Sequence, residues 1–184
     1  MGFLSRHRLG LTSLLVLLAA PFSFAQTTRE YDLKAAFLYN FLSFVDWPPQ
    51  ALSAPETPFV IGVIGSDPFG SVLNEMVRGE RVNGRPIVIR RLSRPAEASQ
   101  CHILFVSRSE AGGVGEVLRH CRGRAILTVG DMPGFAEAGG MIEFVTEGSR
   151  VLLHVNATAA AEAELVISSK LLRVARNVTG ANNP

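Results

Sequence analysis

Hydrophobic residues recur with a helical period near the start of the chain, between Arg29 and Asp46. The apolar positions lie three or four residues apart, at Leu33, Phe37, Phe41 and Phe44. The segment contains neither Gly nor Pro, so this spacing predicts a helix, which the prolines after Trp47 end. Further apolar side chains widen its hydrophobic face. The helix is therefore expected either to be buried deeply or to be covered by a partner.

Short apolar runs follow at regular intervals and are typical of strands buried on both faces. They occupy Phe59–Ile64, Pro86–Ile89, Ile103–Val106 and Ala125–Val129. Helices are predicted between them, from Asp67 to about Val77 and from about Val114 to His120. Strands that alternate with helices at this spacing predict βαβ units and a largely parallel sheet.

The last third of the chain changes pattern. Two apolar runs, Met141–Val145 and Val151–Val155, are separated by five turn-forming residues and predict a β-hairpin. Asn156 is then a suitable N-cap for a long helix from Ala157 to Arg176. The predicted fold class is α/β: a single compact domain with a mixed, mostly parallel sheet, helices packed on it, and a C-terminal hairpin followed by a long helix.

The first 25 residues have the pattern of a secretory signal peptide. A basic start at Arg6 and Arg8 precedes an apolar run of about a dozen residues, which is too short for a membrane span of about 20. Ser23-Phe24-Ala25 fits a cleavage site. Cleavage after Ala25 would leave 159 of the 184 residues as one periplasmic domain, residues 26–184, that does not itself span a membrane.

Charge argues against a nucleic-acid partner. The formal charge of +2 comes from the leader, and the remaining chain has sixteen basic and sixteen acidic residues. Six arginines nevertheless crowd around a single acid, Glu80, at Arg78, Arg81, Arg85, Arg90, Arg91 and Arg94. A solvated face is one interpretation of this cluster, and an acidic partner surface or anionic lipid is the other.

Candidate chemistry is sparse. Gly62, Gly65 and Ser66 follow a strand and precede a predicted helix, a geometry that can hold an anion or small ligand, although a simple tight turn explains the glycines too. The histidines have no metal-ligand spacing, and no serine nucleophile motif is present. We therefore predict a protein without catalytic residues, metal or cofactor.

Cys101 and Cys121 are the two cysteines of the chain. One opens the third predicted strand and the other precedes the fourth, so in parallel strands both lie at the same edge of the sheet. Export to an oxidising compartment favours a disulfide between them. The alternative is a pair of free, buried thiols.

The predicted C-terminal helix carries a second semi-apolar stripe, beside the one expected to pack on the sheet. It consists of Leu165, Ser168, Leu172 and Ala175. A helix with more apolar surface than one packed face requires can bury the remainder against another protein. These residues are therefore predicted to form a partner or dimer surface.

Four ordered segments together resemble the YfiR family of small periplasmic proteins. They are Leu33–Phe41 with Trp47-Pro48, Cys101–Val106, Ile126–Asp131 with Phe135 and Gly139–Ile142, and Val155-Asn156 through Ile167–Leu172. The resemblance implies a compact domain without chemistry of its own, expected as a homodimer. It also implies that the protein binds the periplasmic sensor domain of an inner-membrane diguanylate cyclase, or a similar sensor, and represses it, which lowers cyclic di-GMP and biofilm formation. The alternative is a periplasmic small-ligand-binding protein associated with a transporter or a sensor kinase.

Overall fold

A computed structural model describes residues 22–180 except positions 53 and 55, with side chains described from residue 29 onward. The predicted signal peptide lies mostly outside the described residues, and its last four positions begin the first helix. Within the described part of the chain, no helix combines the length and the apolar character that crossing a bilayer requires.

The first helix, α1, runs from Phe22 to Phe44 and confirms the helix predicted there. It ends two residues early, because Val45–Asp46 form a short strand, β1. Of the two predicted environments, the structure shows deep burial: Leu38 and Phe41 are fully enclosed. Leu33, predicted on the buried face, is exposed, and Lys34 takes its place inside.

Nine further strands and four further helices follow among the described residues. The strands are β2 (Phe59–Ile64), β3 (Arg81–Val82), β4 (Arg85–Leu92), β5 (Ile103–Val106), β6 (Leu127–Gly130), β7 (Ile142–Glu147), β8 (Arg150–Asn156), β9 (Val166–Ile167) and β10 (Asn177–Thr179). The helices are α2 (Val72–Val77), α3 (Val114–Cys121), α4 (Ala157–Glu162) and α5 (Ser169–Val174). Short 3-10 turns lie at Pro49–Leu52, Pro95–Gln100 and Arg108–Glu110.

Eight strands form the central sheet in the order β10-β8-β7-β6-β5-β2-β4-β3. Neighbours from β4 through β7 pair in parallel, and β7 with β8 forms the predicted antiparallel hairpin. This arrangement confirms the mixed, mostly parallel sheet. The chain places β4 on one side of β2 and then crosses to place β5 on the other side, so the order reverses at β2.

Apolar clusters cover both faces of the sheet. Side chains of α1 and α2 pack on one face with strand residues such as Ile61 and Phe105. On the opposite face, α3 and the Pro95–Gln100 turn pack on residues such as Leu104. Because both faces are covered, the inner strands are almost continuously apolar, which is the pattern that predicted them.

Helix α2 begins five residues later than predicted. The Asp67 carboxylate accepts a hydrogen bond from the Phe69 N–H at 2.8 Å, which closes a local turn in place of a helix cap. Gly70 then adopts a left-handed conformation, with φ at +55°, which a helix cannot continue through. The helix starts only after this turn.

The long C-terminal helix predicted over Ala157–Arg176 is wrong. Asn156 does cap a helix, its side chain accepting from the Ala159 N–H, but α4 ends after six residues. Glu164 adopts a left-handed conformation, with φ at +59°, and the chain then runs extended as β9. Strand β9 pairs antiparallel with β1, so a contact with a distant segment overrides the local helical pattern.

The break in the predicted helix divides the predicted partner stripe, so its four residues do not form one surface. Leu165 is in the core with 3% of its surface exposed, and Ser168 caps α5 by accepting from the Leu171 N–H. Leu172 and Ala175 are half-buried against the core. The exposed large apolar side chains of this region are instead Val166, at 62%, and Val174, at 66%.

We expect substitutions at the adjacent residues Leu165 and Val166 to differ in their effect on the free energy of unfolding, because the first side chain is buried and the second is exposed. Leu165→Ala should lower the free energy of unfolding by about 3 kcal/mol, because it empties part of the core. Val166→Ala should change it by less than about 0.5 kcal/mol, since that side chain faces solvent. Urea denaturation of both variants provides the measurement, and equal effects would contradict the corrected position of Leu165.

Candidate functional site

A buried charged cluster lies where two strands of the parallel sheet end. Asp131 follows directly after β6, and Arg108 follows β5 with one residue between. Helix α1 contributes Tyr31 and Lys34 from above. The carboxyl ends of parallel strands are where α/β folds commonly bind ligands, so this cluster is a candidate functional site.

Lys34 is the centre of the cluster and is completely buried. Its ammonium lies 3.1 Å from one Asp131 carboxylate oxygen and 2.5 Å from a Glu30 carboxylate oxygen. It also lies 4.5 Å from the centre of the Tyr31 ring, within range of a cation–π interaction. A buried ammonium is stable only with such partners, so the cluster holds α1 against the end of β6.

The Asp131 carboxylate is shared between α1 and the sheet. The same oxygen that meets Lys34 accepts a hydrogen bond from the Tyr31 hydroxyl at 2.7 Å. Burial, and then this bond to a negatively charged group, raise the pKa of Tyr31 well above its ordinary value. Arg108 donates to the backbone carbonyl of Asp131 at 2.8 Å. These contacts enclose the Lys34 ammonium. The ion pair of Lys34 with Asp131, here called the Lys34–Asp131 clamp, joins α1 to the end of β6.

The loop that follows Asp131 is fixed by a second buried carboxylate. Glu143 accepts hydrogen bonds from the N–H groups of Gly134 and Ala136, both at 3.1 Å. Phe135 inserts between them into the core. A Cβ at Gly130 would lie 2.6 Å from the Phe135 ring, so a glycine is required there for the ring to fit. This loop is therefore part of the packed structure.

His102 is a buried histidine with a structural role. Its Nδ1 accepts a hydrogen bond from the Val60 N–H at 3.1 Å, so the opposite nitrogen, Nε2, donates to the Ala51 carbonyl at 3.1 Å. Burial lowers its pKa, which favours the neutral ring that this arrangement requires. The ring joins the Pro49–Leu52 turn to β2.

The predicted anion turn at Gly62, Gly65 and Ser66 is occupied by the protein itself. Gly62 lies inside β2, where a Cβ would come within 2.6 Å of the Cys101 sulfur. Gly65 makes the tight turn, with φ at +87°. The Ser66 N–H donates to the Ser109 hydroxyl at 2.8 Å, and the Glu110 side chain packs against Gly65. The structure thus favours the tight-turn interpretation.

A cleft lies elsewhere, beside the end of α3. It has a volume of about 340 Å³ and opens between α3, α4 and the loop before β7. Its polar lining includes Arg122, Thr128, Asn156, Thr158 and Glu162. The volume is at the lower end of the range for small-molecule sites.

The two cysteines are free, buried thiols in the structure, in place of the predicted disulfide. The Cys101 sulfur fills the space above Gly62, and Cys121 lies in the same apolar cluster. Burial raises the pKa of Cys101 to about 11, and burial with the charge of Cys101 raises that of Cys121 to about 12. Oxidation of the pair after export stays a prediction.

The arginine cluster is largely tied into the fold. Arg85 donates to the carbonyls of Leu52 and Thr57, and Arg91 forms an ion pair with Asp67. Arg94 pairs with Glu97. Among the described residues, Arg78, Arg81, Arg85 and Arg90 have no carboxylate partner, so only part of this positive charge is neutralised.

Only one feature of the sequence points to the pairing of Lys34 with Asp131. Asp131 is followed by Met132-Pro133-Gly134, which is typical of a turn and does not by itself indicate a buried charge. The available clue is the spacing of Lys34, which lies four and seven residues before Leu38 and Phe41 and so shares their buried face. A lysine in the middle of an apolar stripe calls for an acidic partner.

A family model described as YfiR/HmsC-like matches residues 31–176. No curated protein is a significant match to the chain. Among solved structures, the chain is similar to a conserved domain protein from Vibrio cholerae, with a TM-score of 0.52 and 13% identity over 80% of this chain. It is also similar to an ABC domain from Streptococcus pneumoniae in complex with L-Trp, with a TM-score of 0.50 and 13% identity over 84%. The chain spans 60% of each, and these likenesses show the fold alone.

We expect Lys34→Met to lower the free energy of unfolding by about 3–5 kcal/mol, because it leaves the buried Asp131 carboxylate without its cation. The other lysine of the chain, Lys170, is exposed and provides a matched control. Lys170→Met should change stability by less than about 0.5 kcal/mol. Chemical denaturation at neutral pH measures both, and a Lys34 variant as stable as the control would exclude the clamp.

We expect His102 to make the fold sensitive to mild acid. Its lowered pKa means that the folded chain favours the neutral ring, so this stabilisation is complete above about pH 6.5 and is lost as pH falls below that value. Protonation would place a donor on Nδ1 against the Val60 N–H. Unfolding free energies measured between about pH 7.5 and pH 5 should therefore fall less in His102→Gln than in the unsubstituted chain. The exposed control His120→Gln should keep the full dependence, and identical slopes in all three proteins would contradict this role.

Proposed function

The chain belongs to the YfiR/HmsC-like family, and on that premise we propose that it represses an inner-membrane diguanylate cyclase by binding the enzyme's periplasmic sensor domain. The family supports a periplasmic regulatory role in general. The finer steps are the proposal: the partner is a cyclase, binding holds it inactive, and the result is less cyclic di-GMP and less biofilm.

The extent of the family match carries this proposal. It begins at Tyr31, in the buried part of α1, and ends at Arg176, just after α5. It therefore includes the whole central sheet apart from β10, together with the Lys34–Asp131 clamp. The turn that the sequence suggested for ligand binding is engaged by other groups of the protein, because the Ser66 N–H bonds to the Ser109 hydroxyl, and this supports a role exercised through other parts of the surface.

Part of that surface lies at the C-terminal break. Val166 and Val174 are large apolar side chains that are mostly exposed, and the half-buried Leu172 lies on the same short segment. Exposed apolar groups of this kind support a contact with another protein. We propose this smaller group, in place of the predicted stripe, as a contact for the sensor or for a second copy.

A small-ligand-binding role is the second candidate, and the cleft of about 340 Å³ favours it. Arg122 and Glu162 supply opposite charges, and Thr128 and Asn156 supply neutral polar groups. Sites that combine apolar walls with a few polar groups suit small polar molecules. This role would be favoured by a small molecule that remains bound to the purified protein and is released when the protein unfolds.

Deletion of the gene in the producing cell tests the proposed function. We expect cyclic di-GMP, measured with a fluorescent reporter, to rise because repression is lost. The full chain should restore the low level when it is supplied from a plasmid. A chain of residues 26–184, which lacks the predicted leader, is the matched control and should not restore it. An unchanged cyclic di-GMP level after deletion would exclude the proposal.

A further inference from the structure

The outer edge of β4 is open along most of its length. On its inner side, Ile87–Leu92 pair with β2. On its outer side, β3 pairs only with the first two residues, Arg85 and Pro86. No strand among the described residues pairs with the outer side of residues 87–92.

This edge presents backbone groups that an extended chain can use. In a strand, successive residues direct their N–H and C=O groups to alternate sides, so half of Ile87–Leu92 direct theirs outward. No other described residue forms a hydrogen bond with these outward groups. The row is about 20 Å long, at about 3.3 Å per residue, which is sufficient to pair with a strand of six residues.

Side chains on the edge add charge to this row. Val88 and Arg90 lie on the same face of β4, and both are exposed. The only side-chain partner of Arg90 among the described residues is the Gln100 amide, which carries no charge. The Arg81 side chain, on the adjoining β3, bonds to the Gly84 carbonyl and to no other group in the described part of the chain. The edge therefore combines free backbone groups, an apolar side chain and the charges of Arg81 and Arg90, which no carboxylate of the described residues neutralises.

A second copy of the chain is a poor occupant for this edge. Antiparallel pairing of β4 with itself would place Arg90 of both copies along the same pair of strands, and like charges across paired strands are destabilising. An anionic lipid could meet the arginines but would leave the backbone row unused. An extended polypeptide with acidic side chains satisfies both features.

We propose that the outer edge of β4, residues Ile87–Leu92, accepts an extended acidic segment of a partner protein by strand addition. The added strand bonds to the outward backbone groups and places carboxylates near Arg90 and Arg81. The inference rests on the proposed regulatory role, because it supplies a contact for the regulated sensor.

A defined peptide tests this edge without the cyclase. The probe is a fluorescein-labelled peptide of eight alternating Val and Glu residues, added to the purified exported protein. A matched peptide, N-methylated at alternate residues, keeps the charge but cannot complete a strand pair. Fluorescence anisotropy should show binding of the first peptide and at least a tenfold weaker affinity for the second. Hydrogen exchange should slow at alternate residues within Ile87–Leu92.

Substitutions at two exposed arginines distinguish peptide binding at the β4 edge from non-specific attraction to positive charge. Arg90→Glu should weaken binding at least tenfold, whereas Arg173→Glu, on the exposed side of α5, should weaken it less than twofold. Arg90→Gln removes the charge without reversing it and should give an intermediate loss. Circular dichroism checks that each variant is folded. If Arg90→Glu is unfolded, the loss of affinity in Arg90→Gln provides the test.

Four results would overturn the inference. They are equal affinity for both peptides, equal weakening by the Arg90 and Arg173 variants, no binding of the acidic peptide, and binding confined to phosphatidylglycerol vesicles. Self-association that Arg90→Glu abolishes would instead assign the edge to a second copy. If the peptide does not bind while gene deletion still raises cyclic di-GMP, the edge inference fails and the proposed function stands.

Discussion

The buried pair of Lys34 and Asp131 links the two parts of the structure that must fit together, helix α1 and the end of the parallel sheet. Apolar packing alone would allow α1 to slide or rotate on the sheet, since hydrophobic contacts have no direction. The ammonium must instead lie within hydrogen-bonding distance of one carboxylate oxygen, 3.1 Å away. Leaving either charge unpaired in the interior would cost several kcal/mol, so one position of the helix is strongly preferred.

That position has consequences at the other end of α1. The helix ends at Phe44, and the next two residues form β1, which pairs with β9. The pairing requires an extended chain at Val166–Ile167, and so the helix started by Asn156 stops after α4. The position of α1 thus helps to determine how the distant C-terminal segment folds.

The features that could be predicted from the sequence are those set by local pattern. Strands β2 and β5 have the predicted bounds, because each is an apolar run enclosed on both faces. The Asn156 cap was also correct, since it depends on neighbours three residues away. The C-terminal helix was wrong because the residues of α4 and α5 have helical propensity throughout, while the break is imposed by β1. The ion pair of Lys34 with Asp131 was missed because Asp131 is 97 residues away in sequence.

Contacts between distant segments also explain why the ends of the parallel strands do not form a ligand site in this protein. In many α/β folds, the carboxyl ends of parallel strands at a reversal of strand order leave a crevice for a ligand. Here the reversal lies at β2, but Ser109 and Glu110 cover the turn after that strand, and the Lys34–Asp131 clamp covers the end of β6. Because these positions hold the fold together, the groups open to a partner among the described residues, such as the outer edge of β4 and the Arg90 side chain, lie at the periphery. Open groups at the periphery are what the proposed contact with a partner protein requires.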